Sequence, residues 1–137
     1  MHIESFYHQD TQSFCHILYD EMTLQAAIID PVMDYKANSG QTSFIFADDV
    51  IARVNSLGLK VLFILETHVH ADHLSAAQHI KQQLGGRILI GDKVSQVQAH
   101  FDQVFAINSQ QEALFDGLLS AGDVLELGEV TIQALAT

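Results

Sequence analysis

A chain of 137 residues is the size of one domain and buries roughly two-thirds of the surface that its unfolded form exposes. Its 17 acidic residues against 6 basic ones, a formal net charge of −11, exclude a nucleic-acid surface, which needs clustered Lys and Arg, and disfavour anchoring to an anionic membrane. The 48% of hydrophobic residues contain no run near the ~20 that a membrane span needs, and the single Cys15 permits no internal disulfide. With no basic-then-apolar leader at Met1-His2-Ile3-Glu4-Ser5, the expected compartment is the cytoplasm.

Strand-like segments at 3–7 and 13–19 open the chain, and Asp20-Glu21-Met22-Thr23 reads as a turn. Residues 24–29 read as a third strand, ended by Asp30-Pro31. A polar loop is expected over 34–41, rich in Asn38, Ser39 and Gly40. The next helix places Ala47, Val50, Ile51, Val54 and Leu57 at helical spacing, with Ser43 as its cap and Gly58 as its stop. The run Val61-Leu62-Phe63-Ile64-Leu65, bounded by Lys60 and Glu66, reads as a buried parallel-type strand. Residues 74–84 read as a helix closed by Gly85-Gly86. A short buried strand at 87–91 and a short helix at 93–101 follow. The segments 124–127 and 130–135, joined by Gly128-Glu129, alternate as a β-hairpin does. No linker or repeat interrupts this α/β order, so residues 1–137 read as a single domain.

The chemistry concentrates in Glu66-Thr67-His68-Val69-His70-Ala71-Asp72-His73, where His68, His70, Asp72 and His73 occupy six positions directly after a buried strand. Imidazoles and a carboxylate at this density are costly to hold together unless a cation sits between them, and this donor set suits zinc, iron or manganese. A strand-to-helix loop at the carboxyl end of a strand is also where open α/β sheets place their sites. A blander reading makes Asp72 a helix cap and the histidines surface residues; the number of ligand types at fixed spacing weighs against it. His2, His8, His16, His79 and His100 are scattered without ligand spacing and are set aside. Asp30 has two readings, a turn residue or a support for the ligand loop, and the turn is the expected one. Asp48-Asp49 fits the positive end of a helix, Cys15 reads as a small core residue, and Phe44, Phe46, Phe63, Phe101, Phe105 and Phe115 read as core or interface.

The spacing His68-x-His70-x-Asp72-His73 resembles the signature of the metallo-β-lactamase superfamily. The longer string from Glu66 to Ala77, with Ile29-Asp30-Pro31-Val32 upstream, is similar to the persulfide dioxygenases, relatives of glyoxalase II. The resemblance implies an αβ/βα sandwich with metal at one edge, of which this chain supplies the N-terminal half. On that basis the chain is expected to be truncated at its C-terminus, with further ligands beyond Thr137, and to associate as a homo-oligomer. The implied activity is oxidation of glutathione persulfide, or a related thiol substrate, by O₂ at one non-haem Fe(II). His68 would be the iron ligand of the motif, and His70, Asp72 and His73 would surround the metal, with Asp72 and His73 in the catalytic positions. The glyoxalase II alternative gives the same residues to two metals such as Zn(II), His68 and His70 holding one, Asp72 and His73 the other, for thioester hydrolysis. A catalytically silent half-domain that serves as an interaction fragment is the third reading.

Overall fold

A computed structural model describes residues 1–94 and 114–136. The helix expected at 93–101 falls almost entirely outside them, as do His100, Phe101 and Phe105. The chain opens with a meander: β1 (His2–His8), β2 (Ser13–Tyr19) and β3 (Gln25–Ile29) pair antiparallel. Next come β4 (Val32–Lys36), β5 (Gln41–Ser43), helix α1 (Ile45–Ser56), β6 (Lys60–Glu66), β7 (Leu74–Ser75), helix α2 (Ala77–Leu84) and β8 (Arg87–Gly91). After the undescribed stretch come β9 (Gly117–Leu119) and the antiparallel hairpin of β10 (Val124–Leu127) and β11 (Val130–Gln133). The main sheet runs β1-β2-β3-β6-β8-β9, and β6 pairs parallel with both β3 and β8. This is the mixed α/β architecture expected from the sequence.

Alternation along each strand gives this sheet two apolar faces. One carries Ile17, Ile28, Ile64 and Ile88 and is covered by α1 and α2 through Val50, Val54 and Ile80. The opposite face carries Leu18, Ala27, Leu65 and Leu89 and receives the β10–β11 hairpin through Leu127, which is fully buried. The hairpin turn is pinned from below: Gly128 N–H donates to Gln25 Oε1 at 2.8 Å and Glu129 N–H to Asp20 Oδ2 at 3.1 Å. Gly128 has φ +64, and a Cβ there would run into the Thr23 side chain, so both the backbone and the space demand glycine.

Three elements depart from the sequence reading. The polar loop expected at 34–41 is largely β4 and β5, a strand pair in which Asp34 faces Ser43. Leu74 and Ser75 do not begin the helix but form β7, which pairs with Val32 and Met33 of β4, so α2 starts only at Ala77. Helix α1 takes no cap from Ser43; Phe46 N–H instead donates to Asp34 Oδ2 at 3.0 Å, twelve residues upstream. The expected stops hold, since Gly58 and Gly85 follow their helices with φ of +66 and +76. Among the described helices none is long and apolar enough to cross a membrane.

Candidate metal centre

The loop from Thr67 to His73 leaves the carboxyl end of β6 and is tied down at three points. Asp30 ends β3, the parallel neighbour of β6, and its φ of +50 turns its carboxylate toward the loop. Its Oδ1 accepts from Thr67 N–H at 2.7 Å and from His70 Nε2 at 3.0 Å, and its Oδ2 accepts from the Thr67 hydroxyl at 2.7 Å. At the far end, Ala76 N–H donates to Pro31 O at 2.9 Å. The third tie is Glu66, a buried carboxylate whose Oε1 accepts from the Ser75 hydroxyl. The turn role expected for Asp30 is therefore incomplete: it is the hub of the loop. Glu66 and Ser75 lie within the string that carries the resemblance, but neither was assigned a role of its own from the sequence. Asp30 carried one signal, its place before a proline at the end of the neighbouring strand.

The four motif residues gather within this frame. His68 and His70 ring centroids lie 4.2 Å apart, and those of His70 and His73 lie 4.1 Å apart. His70, Asp72 and His73 offer ligand atoms all within 4.8 Å of one another, and His70 also belongs to a second such group with Asp30 and Glu66. His68 is exposed, and its Nδ1 lies 2.9 Å from the Thr67 hydroxyl, which leaves Nε2 for another bond. His70 presents Nε2 to Asp30 and, at 3.2 Å, to Glu66 Oε2, so its Nδ1 is the nitrogen on the side of Asp72, whose Oδ1 is 3.8 Å away. The excluded His79 lies elsewhere, bonded to Asp48 Oδ1 at 2.7 Å and stacked on Phe44.

Charge is the unsettled quantity in this cluster. Burial draws the His70 imidazole toward neutrality, but the carboxylates of Asp30 and Glu66 outweigh it and push its pKa up to about 9. Burial raises the Asp30 carboxyl, and the hydrogen bonds from His70 and Thr67 more than offset that and hold it below its usual range. Asp72 is lowered by its own backbone N–H and by His73. The His73 side chain is 1% exposed, and among the described residues neither ring nitrogen has a hydrogen-bond partner; Asp72 Oδ2 lies 3.3 Å from Nδ1 outside bonding geometry. A buried imidazole with both nitrogens unpaired is costly unless a ligand engages one of them. The donor set and this unpaired ring fit a divalent metal. Cys15 is buried, and burial raises its thiol far above the reactive range.

Two hollows meet at the loop. One of about 310 Å³ is bordered by His68, His70 and His73 together with Leu74, Ile88, Ile90 and Phe115. The other, about 510 Å³, runs from Thr67, His68 and Val69 to Leu119, Leu125 and Leu135 beneath the hairpin. His68 borders both. A metal-loop histidine between two apolar hollows is a setting for a substrate with a small reactive head and a larger body.

This loop and sheet define a class of metal-dependent proteins, and the family model of the metallo-β-lactamase superfamily matches residues 12–108. The chain belongs to the metallo-β-lactamase superfamily. It is 43% identical over 140 residues to a probable metallo-hydrolase of Burkholderia pseudomallei (strain 1710b), covering 100% of this chain and 48% of that protein. It is also 28% identical over 87 residues to the human mitochondrial persulfide dioxygenase ETHE1, covering 64% of this chain and 30% of that protein. Among solved structures it is similar to ETHE1 from Myxococcus xanthus, with a TM-score of 0.69 at 20% identity over 97% of this chain and 47% of that one. The chain thus spans about half the length, or less, of the relatives it matches. The expected fold class and the branch toward the persulfide dioxygenases both agree with these findings.

Proposed function

We propose that this chain carries the metal loop of a persulfide dioxygenase, which oxidises glutathione persulfide with O₂ to sulfite and glutathione. The observation that carries the reading is His68: its Nδ1 is held by Thr67, its ring is exposed, and it borders both hollows. The similarity to human persulfide dioxygenase supports it. His68 would help hold a non-haem iron there, which would supply the redox chemistry that O₂ and a persulfide need. His68 is the motif ligand. His70, fixed by Asp30, lines the same side, while His73 borders the smaller hollow with Asp72 beside it, and the two govern hydrogen bonding at the reacting sulfur. The larger hollow, with Leu119, Leu125 and Ile132 on its apolar wall, takes the thiol carrier.

A second reading is favoured by one observation, the unpaired nitrogens of His73 beside His70 and Asp72. In it that group holds a second metal, and the site hydrolyses a thioester, in keeping with the probable metallo-hydrolase relative. An oxygen electrode separates the two. The iron-loaded full-length protein, with the further ligands that the resemblance places beyond Thr137, is expected to consume O₂ when given glutathione persulfide and to release sulfite. Hydrolysis of S-lactoylglutathione with no O₂ uptake would overturn the dioxygenase reading in favour of the second.

A further inference from the structure

Behind His70 stand two carboxylates, where one would be enough to orient an imidazole. Asp30 Oδ1 takes the Nε2 hydrogen bond at 3.0 Å. Glu66 Oε2 sits 3.2 Å from the same nitrogen but accepts no well-directed bond from it, and no other partner among the described residues reaches that oxygen. The Glu66 side chain is 4% exposed, so its charge is poorly screened. Holding an unpaired carboxylate oxygen inside a protein is costly, and the local structure is arranged to keep it there. Ser75 Oγ donates to Oε1 and accepts from Ala77 N–H at 3.0 Å, which ties the glutamate to the start of α2. Ser75 is itself held by β7 against Val32 of β4. The clamp therefore spans β6, β7 and α2 and converges on one ring.

We propose that Glu66, fastened by Ser75, is a positioning residue for His70. It fills the space beside Asp30 with a second carboxylate, which fixes the Nε2 edge of the ring and leaves Nδ1 on the side of His68, Asp72 and His73. The inference rests on the metal-loop reading above and goes beyond it, because it names what sets the ring of His70 beside the metal. It assigns Glu66 no direct bond to metal; the glutamate acts through the imidazole. Partners that orient a histidine near a metal typically change affinity by ~10–100-fold.

A double-mutant cycle on zinc affinity tests it, with Zn(II) titrated against a chromophoric chelator and His70 followed by its ring-nitrogen NMR signals. Glu66→Gln keeps the shape and removes the charge. It is expected to weaken zinc about tenfold and to shift the His70 Nε2–H resonance, yet to weaken zinc no further in a His70→Ala background. Equal loss in both backgrounds, or loss as complete as in His68→Ala, would overturn the positioning role. Unchanged affinity with an unmoved His70 signal would do the same. Should Glu66→Gln fail to fold, Ser75→Ala enters the same cycle with the same expectation. If the unaltered protein binds no zinc, the metal-loop reading falls together with this inference; if it binds zinc and Glu66→Gln changes nothing, only this inference falls.

Discussion

Asp30 shows how much a single side chain organises here. Its carboxylate receives two bonds from Thr67 and one from His70, and its own backbone sits at φ +50, a conformation asparagine and aspartate tolerate better than most residues. Asp30→Asn is expected to keep the turn, retain one acceptor and lower metal affinity by ~10–100-fold, as loss of an orienting partner does. Asp30→Ala adds left-handed strain of roughly 1–2 kcal/mol, so it lowers the unfolding free energy as well. Metal titration and denaturant unfolding of the two variants separate the contributions; equal affinity in both variants and the native protein would refute the role. The motif residues themselves were legible because His68, His70, Asp72 and His73 are neighbours in sequence and meet through one loop. The support role of Asp30 was legible only as the less expected of two readings, and that of Glu66 not at all, since the contact between Asp30 and His70 spans forty positions and exists only because β3 and β6 pair in parallel.

At the level of elements, periodicity carried the long segments. The apolar spacing of α1, the buried run of β6 and the alternation of the final hairpin all appear where the pattern put them. The short strands β4, β5, β7 and β9 did not stand out, because two to five residues cannot establish a period and polar residues such as Asp34 lie within them. Those strands matter to the site: β4 pairs with β7, fixes Ser75, and sends Asp34 to α1. Because Phe46 N–H bonds to Asp34 and not to Ser43, Asp34→Ala is expected to destabilise the fold by about 1 kcal/mol, while Ser43→Ala leaves it nearly unchanged. His8, buried with its Nε2 3.3 Å from Asp34 Oδ1, loses a partner in the same variant and adds to the loss. Thermal or urea unfolding of the two variants checks the contrast; equal effects would restore Ser43 as the cap.

On the scale of the whole molecule, the site lies where the helix-covered face of the sheet, the hairpin-covered face and the end of β6 meet. The hairpin is held at its turn by Asp20 and Gln25 and seals one hollow at its base, so the larger cavity depends on packing far from the metal loop. The central claim is that this scaffold presents a single iron through His68, with His70, Asp72 and His73 around it. Elemental analysis of the purified, metal-replete protein tests that most directly. The account predicts about one iron per chain in the native protein and almost none in His68→Ala, as a mononuclear open site requires. Two metal ions per chain, one of them lost when Asp72 and His73 are replaced, would contradict it.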